Sequence, residues 1–295
     1  MIRSIVEKIG HTPLIRLNEV TRELPASVEV YVKAEFFNPG GSIKDRPAYR
    51  MIQEGIRSGE LTKDKVIMDP TSGNTGVAYS MIGASLGYQV ELVVPENVSQ
   101  QRKDIALSFG AKLTFSSAME GSDGAIRLSQ KLKDESPHHY FMPNQYNNSF
   151  NPQAHYDTTG VEIYHQTGKR VTHFITGIGT SGTIMGVSRR LKDYDSKIQT
   201  WAAEPAEALH GLEGLKHMAS SIVPGIYHPE TLDGVLPVQT ENGYDMAERL
   251  AREEGIFVGH SSGANVWAAI EIAKKLKEGV VVTILCDSGD RYIPI

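Results

Sequence analysis

The chain has 295 residues, 40% of them hydrophobic and 22% charged, and a formal net charge of -5, which describes a globular protein with a sizeable core in one large domain or two smaller ones. Lys and Arg are spread along it, so general attraction to nucleic acid or an anionic membrane is excluded, and its single cysteine, Cys286, excludes an intrachain disulfide or a cysteine-built metal centre. No apolar run approaches the roughly 20 residues of a membrane span, and the first twelve residues lack the apolar stretch of a signal peptide, so a cytoplasmic protein without a membrane partner is expected.

In chain order, β-rich apolar runs at 28–35, 66–69, 89–94, 112–115, 173–176, 199–203 and 280–286 predict strands. Helical patterns at 47–59, 76–86, 99–109, 124–133, 152–166, 183–191, 243–254 and 264–277 fall between them, several closed by a glycine just past the helix end. Such alternation predicts an α/β fold, with doubly wound, mainly parallel sheet covered by helices on both faces. The least patterned stretch, 204–236, reads as a mobile or substrate-specific loop. Ligands of such sheets sit beyond the carboxyl ends of the strands, which directs attention to four turns rich in Gly, Ser, Thr and Asn.

The first, Asn38-Pro39-Gly40-Gly41-Ser42-Ile43-Lys44-Asp45, enters a helix with Ser42 and Asp45 spaced as a cap and its third-position acid. Lys44 then sits in a first turn, where the positive end of the helix dipole favours a neutral, nucleophilic amine; a surface lysine on a capped helix fits the same residues. The second, Thr71-Ser72-Gly73-Asn74-Thr75-Gly76, sets hydroxyls and an amide at a helix start, where free N–H groups suit a carboxylate, or where they merely cap. The third, Gly179-Thr180-Ser181-Gly182-Thr183, reads as a cradle for a compact monophosphate. It also contains Gly177-x-Gly179-x-x-Gly182, the dinucleotide fingerprint, with Glu204 placed as a ribose-binding acid, so an NAD-dependent oxidoreductase stays open. The fourth, Gly259-His260-Ser261-Ser262-Gly263, reads by default as a helix cap. The ten histidines show no zinc-protease spacing, and no metal site is expected.

These four turns, with His11-Thr12-Pro13-Leu14, Gln145-Tyr146-Asn147-Asn148, His155-Tyr156-Asp157-Thr158-Thr159-Gly160 and Cys286-Asp287-Ser288-Gly289-Asp290-Arg291-Tyr292, resemble over nearly the whole chain the fold-type II pyridoxal 5′-phosphate enzymes of the cysteine synthase / cystathionine β-synthase family, most specifically the type B cysteine synthases. The resemblance implies two doubly wound domains with the cofactor between them: a larger one, 13–37 with 150–295, and a smaller mobile one, 1–12 with 38–149. It implies Lys44 as the Schiff-base lysine and proton carrier, Asn74 on the cofactor's 3′ oxygen, Gly179, Thr180, Ser181, Gly182 and Thr183 on its phosphate, and Ser261 at the ring nitrogen. Thr71, Ser72, Asn74, Thr75 and Gln145 would hold the substrate carboxylate, and Lys216 would favour an anionic substrate. The implied reaction is β-replacement, O-acetyl- or O-phospho-L-serine plus sulfide or thiosulfate giving L-cysteine or S-sulfocysteine, in a homodimer. Cystathionine β-synthase and serine or threonine dehydratase share the framework, and a complex with serine acetyltransferase stays open.

Overall fold

The computed structural model describes residues 1–71 and 73–292. Among them, ten strands form two sheets. The larger sheet runs in the order β1 (Leu14–Arg16), β2 (Val28–Ala34), β10 (Gly279–Leu285), β7 (His173–Gly177), β8 (Gln199–Pro205), β9 (Gly234–Val238). The smaller runs β5 (Lys112–Ser116), β4 (Val90–Pro95), β3 (Val66–Asp69), β6 (Tyr140–Phe141). Pairing is parallel throughout except at the edge, where β1 lies antiparallel to β2.

Both sheets are covered on two faces, which explains why their central strands are apolar at consecutive positions. In β10, Val281 and Leu285 pack into one core with Leu250 of α8 (Thr240–Glu253) and Val266 and Ala269 of α9 (His260–Ala273). Val280, Val282 and Ile284, on the opposite face, join Ile163 of α6 (Gly160–Gln166) and Ile184 and Val187 of α7 (Gly182–Tyr194). In β3, Ile67 meets Met51 and Ile52 of α1 (Asp45–Ser58) and Tyr79 and Ile82 of α2 (Asn74–Leu86), while Met68 turns to Ala125 of α4 (Gly121–Glu135). Each such aliphatic side chain contributes about 1.5–3 kcal/mol on burial. α3 (Gln100–Ser108) lies beside β5 and carries one wall of the central cavity.

The expected strands are all present within a residue or two of their bounds, and three further short ones, β1, β6 and β9, complete the sheets. The helix expected over 152–166 is continuous but not uniform: α5 (Phe150–Ala154) passes through a π turn at His155–Thr159 before α6, with Gly160 N–H donating to His155 O. Residues 204–236, expected as loop, hold the end of β8, two short 3₁₀ turns and the start of β9.

Candidate active site

The turn after β2 carries Lys44 into the centre of the molecule, and its geometry corrects one expectation. Ser42 and Asp45 do not form a reciprocal cap: Ser42 Oγ accepts from Lys44 N–H at 3.2 Å, whereas Asp45 Oδ2 accepts from Gly40 N–H. A side chain at Gly40 would collide with the Asp45 carboxylate, at 2.4 Å, so glycine is required for that contact. Ser42 pairs with Asp287 in an isolated bridge, and Ile43 N–H donates to Cys286 O at 2.9 Å. Lys44, half-buried and immediately ahead of α1, is thereby fastened to the far end of β10.

β3 delivers the second turn beside it. α2 is buried almost all round, and a side chain at Gly83 would lie 2.4 Å from Val90 Cγ2, so the helix packs hard on β4 and its N-terminus is fixed. Thr75 Oγ1 donates to Gln145 Oε1 at 3.0 Å, joining the turn to the residue expected to share its carboxylate. Asn74 Nδ2 donates to Asp287 Oδ2 at 2.6 Å, as does Tyr292 OH at 2.7 Å, and Arg291 donates to Asn74 Oδ1 and Gly40 O.

β7 ends in the third turn. Ser181 takes a left-handed backbone, φ 68°, immediately before α7, and Asn151 Nδ2 braces the turn with bonds to Thr180 Oγ1 at 3.0 Å and Gln145 O at 2.7 Å. A Cβ on Gly179 would fall 2.4 Å from Gly214 O, and one on Gly182 would fall 1.9 Å from Asn151 Oδ1. These two glycines thus permit close backbone approach. Ser261 stands in the first turn of α9 beside Cys286, whose thiol is pushed up to about 11 by burial and by the Asp287 charge, which keeps it in the thiol form at neutral pH.

These turns converge on one cavity of about 370 Å³. Lys44, Thr71, Asn74, Thr75, Gln145, Gly179, Thr180, Ser181, Gly182, Thr183, Lys216 and Ser261 all line it, and Ser72 lies outside the described residues. Lys216 is held by its backbone N–H to Ile178 O at 2.7 Å, with its Nζ 5.1 Å from the Tyr146 ring centroid. Glu204 Oε1, needed by a dinucleotide reading, instead accepts from Met218 N–H at 2.7 Å. Residue-type reasoning left Asn151, Asp287 and the Arg102–Glu213 ion pair at the cavity wall without roles. Their contacts span more than a hundred residues of sequence in two of the three cases, and no local pattern marks them.

The family profile described as "Pyridoxal-phosphate dependent enzyme" matches residues 5–287. The chain is similar to the cysteine synthase of Aquifex aeolicus, 48% identical over 295 residues, covering 98% of this chain and 90% of that one. It is similar to cysteine synthase B of Pseudomonas aeruginosa, 40% identical over 290 residues, with 98% and 95% covered. The crystal structure of a cysteine synthase from Entamoeba histolytica superposes with a TM-score of 0.96 at 34% identity, over 99% of this chain and 89% of that one.

The cavity fits that cofactor. Ser181 Oγ is buried and has no partner among the described residues, in a turn whose neighbours Thr180 and Thr183 also face the cavity. A buried hydroxyl left unpaired costs about 1–3 kcal/mol, which a phosphate monoester at the start of α7 would relieve. Lys44 lines the same cavity, as a carbonyl-bearing ring linked to that phosphate requires.

Proposed function

The chain belongs to the pyridoxal-phosphate dependent enzyme family, and from that membership we propose that it is a cysteine synthase converting O-acetyl-L-serine and sulfide to L-cysteine and acetate. The observation that carries the reading is the meeting of Lys44 and the α7 cradle in one cavity. When bound there, pyridoxal 5′-phosphate supplies an electron sink for the pair released as the Cα proton leaves.

The chain's own residues bind, orient and move protons. Residues 179–183 hold the phosphate with backbone amides and hydroxyls at a helix N-terminus. Thr71, Ser72, Asn74 and Thr75, with Gln145, hold the substrate carboxylate at the start of α2. Lys44 Nζ takes the Cα proton and returns it after sulfur has joined the β-carbon. Asp287 accepts from Asn74 and fixes its amide, so that Asn74 can serve both carboxylate and cofactor without rotating. Ser261 offers a neutral hydroxyl to the ring nitrogen, where an aspartate would hold that nitrogen protonated and deepen the sink. Arg102 and Glu213 form an ion pair at the cavity wall, joining α3 to the segment before Gly214.

The finer parts of the proposal concern specificity and assembly. Lys216 gives the site a cation suited to thiosulfate as acceptor or to O-phospho-L-serine as donor. The two sheets support a division into a larger unit, 13–37 with 150–295, and a smaller mobile unit, 1–12 with 38–149. A cytoplasmic homodimer completes the proposal. No helix among the described residues is long and apolar enough to cross a membrane.

The test is covalent and spectral. Borohydride treatment of the holoenzyme is expected to fix the cofactor on Lys44, as read by peptide mass. Addition of O-acetyl-L-serine should shift the cofactor absorbance, and sulfide should restore it with release of L-cysteine. Label on another lysine, or NADH binding to a colourless protein, would refute the assignment. Parallel runs with O-phospho-L-serine and thiosulfate score donor and acceptor separately.

A further inference from the structure

The π turn at His155–Thr159 has no part in the reactions above, yet its first side chain reaches the phosphate cradle. His155 is 1% exposed, with Nδ1 2.9 Å from Thr159 Oγ1 and Nε2 3.3 Å from Thr183 Oγ1. The approach depends on Gly186, one turn beyond Thr183. A Cβ at that position would fall 2.1 Å from Pro152 O and 2.8 Å from His155 Cβ. Thr158 and Thr167 spend their hydroxyls on carbonyls four residues back, at 2.6 and 2.9 Å, whereas Thr159 faces the ring.

Burial, and the positive charges of Arg46 and Lys44, hold His155 well below its ordinary pKa, so the ring is neutral and carries a single N–H. That proton decides the direction of every bond in the chain of groups. A phosphate monoester dianion only accepts, and Thr183 has one hydroxyl proton. With the ring proton on Nδ1, Thr183 would spend its own on Nε2 and turn lone pairs toward the anion. With it on Nε2, Thr183 accepts from the ring and its proton is free.

We propose that His155 is a positioning residue for the phosphate site: Thr159 Oγ1–H donates to Nδ1, Nε2–H donates to Thr183 Oγ1, and Thr183 presents its proton to the cofactor phosphate. The proposal rests on the reading of residues 179–183 as that site. It assigns a role to three side chains that never touch the reacting carbon, and it requires one tautomer.

Two measurements test it. In ¹⁵N-histidine holoenzyme, His155 should carry its proton on Nε2, and a proton on Nδ1 overturns the proposal. Affinities for pyridoxal 5′-phosphate and for pyridoxal, which lacks the phosphate, should be compared across variants by fluorescence titration of the apoenzyme. His155→Leu should weaken pyridoxal 5′-phosphate binding about tenfold and leave pyridoxal unchanged, while His155→Gln, whose amide can donate from the Nε2 position, should stay within about threefold of wild type for both. Equal weakening toward both ligands in His155→Leu means a merely structural role and sinks the relay. Thr183→Ala separates the two layers. If it keeps the full preference for the phosphorylated ligand, the cradle reading fails. If it loses that preference while His155→Leu keeps it, only the relay fails. Should His155→Leu not fold, the tautomer and the His155→Gln ratio still decide.

Discussion

Asp69, the last residue of β3, shows how strongly one position can couple folding to pH. Its carboxyl is buried, and burial raises it to about 7, against a hydrogen bond with Gln145 that pulls it down. In the unfolded chain the same group titrates near 3.9. Between about pH 4 and 7 the folded protein therefore keeps a proton that the unfolded chain has lost, and stability falls as pH rises through that window. Above 7 both states are ionised and the slope from this group vanishes. Asp69→Asn removes the titration, so the variant should gain on wild type by about 1.4 kcal/mol per pH unit in the middle of the window. Urea denaturation at pH 4.5, 5.5 and 7.5 measures it, and parallel stability profiles for the two proteins would contradict the assignment. Asp45 is raised to about 7 by burial as well, so wild type minus variant, rather than either slope alone, isolates Asp69.

At the scale of elements, the close approach of α5, its π turn and α7 is set by glycines rather than by large side chains. Gly186 leaves no room for a methyl against Pro152 O, and Gly160 would bring one within 2.8 Å of Arg190 Cβ. Gly186→Ala would gain about 1 kcal/mol in helix propensity but drive a methyl into the Pro152 backbone and force two helices apart, an overpacking cost at the upper end of about 1–3 kcal/mol. The expected result is a lower thermal midpoint together with weaker cofactor retention on dialysis; a midpoint at or above wild type would mean the helices yield freely. This kind of contact was not legible in the sequence. The repeating strands and helices were, because apolar runs such as Val280-Val281-Val282 bury both faces and leave a local trace. β6, with two residues, and β9, an edge strand containing Pro237, leave almost none. The glycine- and hydroxyl-rich turns that line the cavity were legible for the same reason as the long strands: each is a contiguous run at a helix start and leaves a local residue pattern. Asp287 beside Asn74, 213 positions away, has no such signature.

Across the whole molecule, the two sheets are joined behind Lys44 by buried charge. Arg46, on α1 of the smaller sheet's core, donates to both oxygens of Glu35 at 2.7 and 2.8 Å and both of Glu162 at 2.7 and 2.8 Å. Its last bond reaches Thr12 Oγ1 at 3.1 Å, and Lys33 Nζ meets Glu162 from the other side at 2.6 Å. Glu35 follows β2 and Glu162 lies on α6, so this one guanidinium ties the helix that begins at Lys44 to two elements of the larger sheet. Burial alone would raise the Glu162 carboxyl, but the Arg46 bonds and charge hold it near 2. Two acids that share a single arginine in the interior make removal of that arginine far worse than loss of an exposed pair, because the desolvated charges remain. Arg46→Met should cost about 3–5 kcal/mol in urea unfolding. Arg170→Ala, which breaks the exposed pair of Arg170 with Glu29, should leave the midpoint close to wild type. If the two variants unfold at the same urea concentration, the cluster is not what couples the sheets, and the position of Lys44 must be held by the Ser42–Asp287 bridge, the Ile43–Cys286 bond and the Arg291 contact to Gly40.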